Sequence, residues 1–330
     1  MGRSILIINL ILGLCFFPGA SLADFYVIAG SRAAGEEIKS LPCTISSSGF
    51  YYITRNLSCG AGSHGITVAS DNVTIDLMGF SISGPGTGTY HGIYMNARSN
   101  VEIRNGTVTG FGSNGIYEQS QLSGRDHRIY NIRARLNKGG GIIIFGKGAH
   151  IVNCTASENT KQGIFAGQRS KVVGNTAIKN KTDGIWGNGA SLIARNVSRE
   201  NDVRGIFAAA GSTITENTVY KNGDRGIVAG SGCVITNNTS SHNLDSGIDA
   251  YTGSVVSGNT CYANEEHGIE ASSAVIVRGN TSFLNGCYGI SLTWDAFVDE
   301  NLSYSNNQSL GAYLNIGPCN RCTFGLNLAP

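Results

Sequence analysis

Proline is almost missing from this 330-residue chain, at 5 in all, and charged residues make up only 14% of it. With 41% apolar residues, the chain is too hydrophobic to stay disordered. The formal net charge of +2 gives no reason to invoke a nucleic acid. Past the first two dozen residues, no run is apolar enough to cross a membrane. From about Gly141 onward there is no apolar stripe at i, i+3 and i+4, which excludes helical repeats. Leucine averages fewer than one per 21 residues there, too few for leucine-rich repeats.

What is present is a period. Gly-Ile recurs every 21 residues from Gly163-Ile164 to Gly289-Ile290. One asparagine keeps the same interval at Asn175, Asn196, Asn217, Asn238, Asn259, Asn280 and Asn301, and a second runs from Asn159 to Asn306. Short β-branched runs such as Ile227-Val228 and Val234-Ile235 lie between Gly, Ser, Asn and Asp, the pattern of short strands and tight turns. Such a unit is one turn of a parallel β-helix, three strands and three turns, with coils stacking at roughly 4.8 Å. Equivalent residues then lie above one another, and the asparagine columns are expected to form amide ladders. A right-handed coil is expected, as for parallel crossovers generally. The fold class is therefore all-β, a single right-handed parallel β-helix with N- and C-terminal caps.

The Gly-Ile and Asn-Thr repeats (Asn175-Thr176, Asn217-Thr218, Asn238-Thr239, Asn259-Thr260, Asn280-Thr281) resemble those of the pectate-lyase-like superfamily of right-handed β-helices. The resemblance covers about Asn72 to Asn306. It implies the fold; the superfamily's chemistry ranges over lyases, hydrolases, epimerases, tailspikes, adhesins and accessory proteins. The polygalacturonase set (Asn-Thr-Asp, Asp-Asp, Gly-His-Gly, Arg-Ile-Lys) is missing. So are the Asp-Pro-His-Asp of alginate epimerases, the Trp-Ile-Asp-His of pectate lyases and the glycine-rich calcium nonapeptide of secreted toxins. No catalytic residue transfers from any of them.

In chain order, residues 1–23 read as a secretory signal: Arg3, then an apolar run from Ile5 to Phe17, then Ser21-Leu22-Ala23 before the cleavage point. The mature protein is thus expected outside the cytoplasm, secreted or periplasmic. Residues 24–62 fall out of register and are expected to cap the coil, which would otherwise expose unpaired strand edges. Residues 63–309 form the β-helix, with inserted loops at Gly84–Gly88 and Ser120–His127. Residues 310–330 are expected to cap the far end. Of the eight cysteines beyond the signal, Cys43 and Cys59 are the expected pair in an oxidising compartment. Cys319 and Cys322 form a terminal staple, with Cys287 as a candidate partner, while Cys154 and Cys233 read as small core residues. His64 and His91 share a column beside the loops, a possible second site, and His127 reads as a solvated loop residue. The Asn-x-Ser/Thr sequons coincide with ladder positions and read as structure.

If each Ile of Gly-Ile points inward, the next residue points out and the one after points in. The inward position reads Ala166, Gly187, Ala208, Ala229, Ala250 and Ala271, all small. The outward column reads Tyr94, Tyr117, Ile143, Phe165, Trp186, Phe207, Val228, Asp249, Glu270 and Ser291. Aromatic faces stack on sugar rings, and carboxylates one coil apart suit acid/base chemistry or a cation. Just before each Gly-Ile stand Asp183, Arg204, Asp224, Arg225, Asp245, Glu266 and His267. The candidate catalytic set is Asp249, Glu270, His267 (a base) and Arg225, which would neutralise a sugar carboxylate. Tyr94, Tyr117, Phe165, Trp186, Phe207, Arg204, Asp224, Asp245 and Glu266 are the candidate binding residues. The partner is a polysaccharide, acidic in the enzyme reading, bound and also cleaved or epimerised by a lyase-, epimerase- or glycosidase-like activity, with calcium a possible cofactor. A non-catalytic glycan-binding module and a structural or accessory surface protein remain alternatives. Turn residues that merely pair opposite charges along the stack, such as Arg225 with Asp224 or Asp245, would explain the polar cluster equally well.

Overall fold

The computed structural model describes residues 35–307 and 315–329; the expected signal at residues 1–23 lies outside them. The described chain is all strand and turn, with no helix. One sheet has 12 strands, one per coil, running from Cys43–Ile45 to Ile290–Leu292, and the other has 24. Every pairing between strands is parallel, and each strand pairs with its counterpart one coil away. Ile164, Ile185, Ile206, Ile227, Ile248 and Ile269 are all fully buried, and so are Ala166, Ala208, Ala229, Ala250 and Ala271. The inward and outward alternation expected around Gly-Ile therefore holds.

Each regular coil turns three corners built alike. One residue adopts a left-handed backbone and the next points inward: asparagine at two of the corners and, at the third, Ser170, Ser191, Ser212 or Ser254, with Cys233, Val275 or Ala296 in other coils. In the coil beginning at Gly205, these are Gly211 then Ser212, Glu216 then Asn217, and Lys221 then Asn222, with φ of 71°, 57° and 55° at the left-handed residues. Most ladder asparagines accept from the asparagine one coil below and donate to a backbone carbonyl; Asn196 Nδ2, for example, donates to Asn217 Oδ1 at 2.9 Å and to Val172 O at 2.9 Å. Both columns are buried, so the sequons at Asn196 and Asn238 are structural. A serine ladder at the third corner, where Ser170 N donates to Ser191 Oγ and Ser191 N to Ser212 Oγ, escaped the sequence reading. Glycine before each Ile is needed for close approach. A Cβ on Gly226 would stand 2.6 Å from the carbonyl oxygen of Gly247 in the next coil.

Coil pairing extends into both segments that lose the period. Glu36–Glu37 pairs with Gly49–Tyr52, and Cys43–Ile45 pairs with Ile66–Val68. At the other end Thr323–Phe324 pairs with Phe297–Asp299, and single bridges join Ile290 to Ile316 and Leu302 to Leu328. Unequal loops hide these coils from a search at fixed spacing. Cys43 and Cys59 are free, against the expected pairing. Cys43 belongs to the 12-stranded sheet, whereas the Cys59 thiol faces Ser63 and the carbonyl of His64. The one disulfide among the described residues joins Cys319 to Cys322, without Cys287. Cys154 and Cys233 are core residues, and burial pushes the Cys154 thiol up to about 12. His127 is fully buried and not solvated; its Nδ1 accepts from Val101 N, and burial drops its pKa to about 4.

Candidate functional site

Strand register places the outward column as expected. Tyr94 pairs with Tyr117, Tyr117 with Ile143, and so on through Phe165, Trp186, Phe207, Val228, Asp249, Glu270 and Ser291. The rings are half-buried and touch in sequence. Tyr94 and Tyr117 lie 6.3 Å apart, Phe165 and Trp186 5.9 Å, and Trp186 and Phe207 4.5 Å. Ile143 itself is covered, and Phe145 from the following turn fills the gap, 6.1 Å from Tyr117 and 4.6 Å from Phe165. Nothing in the spacing singles out Phe145, because it occupies a corner that is Gly, Asn or Ala in the next three coils. The rings between Phe145 and Phe207 tilt by 39–50°, so each leaves part of a face open. Tyr262, Phe283 and Tyr304 make another ladder in the 24-stranded sheet, but those rings lie within 7° of parallel and cover one another's faces.

Arg204 belongs to the aromatic stripe more than to the acids. Its guanidinium grips Asp183 through two contacts, at 2.7 and 3.2 Å, and lies over Trp186 at 5.3 Å and Phe207 at 4.7 Å. With its charge neutralised by a buried aspartate, it braces the rings.

Where the aromatics stop, Arg225 becomes the hub of a carboxylate cluster. Its nitrogens lie 3.2 Å from Asp249, 3.7 Å from Asp245, 3.9 Å from Asp224 and 4.0 Å from Glu270. The Nε–H is out of line with Asp249 and has no hydrogen-bond acceptor among the described residues, so the pair is held by charge alone. Pairing of Arg225 with Asp224 and Asp245, expected from their positions, is thus present but long. Asp249 is buried at 5% exposure. Burial and the neighbouring Glu270 charge push its carboxyl up to about 6, against the opposing pull of Arg225. Glu266 lies at the rim, 3.0 Å from the Cys287 thiol. Among the described residues no three His, Cys, Asp or Glu side chains converge as a metal site.

His267 takes a different part from the base expected of it. Its Nδ1 accepts the backbone N–H of Tyr288 at 3.1 Å, so the neutral ring carries its proton on Nε2. It presents a donor to the outside and has no free lone pair. His64 and His91 repeat this bond one coil on, to the N–H groups of His91 and Asn114. Burial, with His64 nearby, lowers His91 to about 4. The histidine column therefore caps turns, although His64 and His91 also stack on Tyr94 and Tyr117, each at 4.3 Å, and extend the aromatic stripe.

The Asp249 shift carries a stability consequence. Between its usual value near 3.8 and about 6, the folded protein keeps a proton that the unfolded chain gives up. Stability contributed by this group therefore falls as pH rises through that window, and the cost is complete above it. Asp249→Asn removes the cost. The variant is expected to be about 1–2 kcal/mol more stable than the parent above pH 6, converging on it towards pH 4. Thermal melts of both proteins across that range check the sign.

A two-sheet parallel solenoid with one outward column graded from aromatic to acidic defines the class of protein. The chain belongs to the family described as right handed beta helix region, whose profile matches residues 39–191 and 91–239. No curated protein sequence matches it. Among solved structures it is similar to the Azotobacter vinelandii mannuronan C-5 epimerase AlgE6 A-module, at 17% identity and a TM-score of 0.65, covering 85% of this chain and 90% of that one. The periplasmic alginate epimerase AlgG is similar at 14% identity and a TM-score of 0.51, over 86% of this chain and 76% of that one. The Dettilon tailspike protein is similar at 18% identity and a TM-score of 0.50; the match covers 87% of this chain and 60% of the tailspike chain.

Proposed function

We propose that the protein is an exported polysaccharide-binding β-helix. Its glycan lies along the column from Tyr94 to Phe207, with one end at the Arg225, Asp249 and Glu270 cluster. The observation that carries this reading is the unbroken run of half-buried, tilted rings, which offers apolar faces at every coil between Phe145 and Phe207. A free glycan-sized row of aromatic faces is costly to keep in water and is explained by a ring-shaped ligand. The similar structures named as alginate and mannuronan epimerases support a polysaccharide as the partner.

A second reading adds catalysis, and the raised Asp249 carboxyl favours it. A carboxyl that titrates near 6 can give up or take a proton at neutral pH, and Glu270 supplies a second carboxylate one coil away. Arg225 would neutralise an acidic substituent on the sugar, and His267 Nε2–H would donate a hydrogen bond. The test is a polysaccharide panel, with and without calcium, in which binding and products are followed together. In this reading, Asp249→Asn with Glu270→Gln lowers turnover by at least about 100-fold and leaves binding intact. Binding without products on any glycan would confine the protein to the first reading. Neither binding nor products would leave a structural or accessory solenoid.

A further inference from the structure

Charge is unevenly spread along the coil axis. Residues 125–171 carry nine Lys and Arg against two acids, Asp126 and Glu158, whereas residues 224–329 carry three against nine. Several arginines in and around this basic stretch are already engaged. Arg98 donates to the carbonyls of Asn96 and Ala69, Arg128 pairs with Glu102, and Arg204 pairs with Asp183. Among the exposed cations left without a partner, three come together in one place: Arg125, Lys147 and Arg169. None has a side-chain hydrogen bond or an ion pair among the described residues. Arg125 and Lys147 are joined by a parallel bridge; one coil on, Gln168 takes the equivalent position and Arg169 is the next residue at that corner. All three line one groove of about 330 Å³, together with Leu122 and Asp126 of the inserted loop. Lys147 and Leu122 also line a neighbouring groove together with Phe145, so the cations lie beside the end of the aromatic stripe. The next outward column adds Lys171, whose charge, with that of Arg128, helps burial to lower the pKa of His150.

We propose that this groove is a second binding site, beside the aromatic face, for sulfate or phosphate ester groups carried on a polymer. A carboxylate has two oxygens and is satisfied by a single arginine fork. A tetrahedral ester presents three terminal oxygens, and one such group can be shared by cations rising from three successive coils. Asp126 is the only acid in the lining, so the groove keeps a net positive charge. The site goes beyond the glycan-binding reading and stands without it.

The experiment uses the full chain and four probes: dextran sulfate, carboxymethyl dextran of equal charge density, uncharged dextran and inorganic phosphate as a competitor at constant ionic strength. Dextran sulfate is expected to bind, to weaken roughly tenfold between 50 and 200 mM salt, and to be displaced by inorganic phosphate. Carboxymethyl dextran is expected to bind at least about fivefold more weakly. The variant Arg125→Gln/Lys147→Gln/Arg169→Gln is expected to lose at least about tenfold in affinity for dextran sulfate. A charge-matched variant, Lys138→Gln/Lys161→Gln/Lys221→Gln, and Trp186→Ala should each change it by less than about twofold. Equal losses in the two triple variants would overturn the site in favour of diffuse charge. Loss in Trp186→Ala would place the polymer on the aromatic face instead. Equal binding of the carboxylated polymer, or no displacement by phosphate, would overturn the ester preference.

Discussion

Asn217→Leu is expected to destabilise the protein by about 3–5 kcal/mol, although the substitution adds apolar volume to a buried position. Asn217 accepts both the backbone and the side-chain N–H of Asn196 at 2.9 Å, and it donates to Ile193 O, Thr215 O and Asn238 Oδ1 at 2.9–3.0 Å. Leucine leaves a buried backbone N–H and at least one buried carbonyl without partners, each costing about 1–3 kcal/mol. The residue before it, Glu216, is held in the left-handed region, and the lost bonds no longer hold that corner shut. Because a solenoid is stabilised through neighbouring coils, the damage should be local before it is global. Hydrogen exchange is expected to speed up first in the coils containing Asn196, Asn217 and Asn238. Thr218→Ala, one residue on and exposed, is expected to stay within about 0.5 kcal/mol of the parent. Urea midpoints for the two variants make the comparison, and equal midpoints would remove the ladder from the account of stability.

Trp186→Ala with Phe207→Ala is expected to weaken polysaccharide binding by about 100-fold, or roughly 2–3 kcal/mol. These two rings are the closest pair in the column and share the Arg204 brace, so removing both opens the middle of the stripe. The single variant Arg204→Met should cost less, roughly three- to tenfold, because it loosens the rings without deleting their faces. Phe283→Ala supplies the contrast. Its ring is stacked at 7° on Tyr262 and at 3° on Tyr304, so it has little face to give to a sugar. That variant is expected to change glycan affinity by less than about twofold. Equal losses from Phe283→Ala and from the double variant would mean that the aromatic column has no special claim.

Much of this is legible in the sequence, and the reason is mechanical. A 21-residue period with Gly-Ile and two asparagines fixes which residues stack, and stacking fixes the outward column from Tyr94 to Ser291. What escaped depends on distances that periodicity does not carry. Arg204 and Arg225 look equivalent in sequence, yet one is locked by a buried Asp183 and the other is shared loosely among four acids. The position of His267 suggests a base, but its Nδ1 is taken by the Tyr288 amide. Phe145 sits at a corner where neighbouring coils have Gly, Asn and Ala, so no column announces it. The coils at residues 36–58 and 315–329 were hidden because their loops differ in length from the 21-residue unit. The Cys43–Cys59 pairing fails because Cys43 lies in a strand of the 12-stranded sheet, while the Cys59 thiol, just past Leu57–Ser58, turns to Ser63 and the carbonyl of His64.

The claim that the aromatic column is the glycan-binding face can be read from one residue. The chain has only two tryptophans, Trp186 and the exposed Trp294, so Trp294→Phe leaves Trp186 as the single tryptophan, excited selectively over the tyrosines. Its fluorescence would be titrated with a panel of acidic and neutral polysaccharides, with and without calcium, while binding is scored separately by co-sedimentation. The account predicts that a polysaccharide that binds shifts the Trp186 emission saturably, with the same midpoint as co-sedimentation. A polysaccharide that co-sediments with the protein and leaves Trp186 unchanged would contradict it.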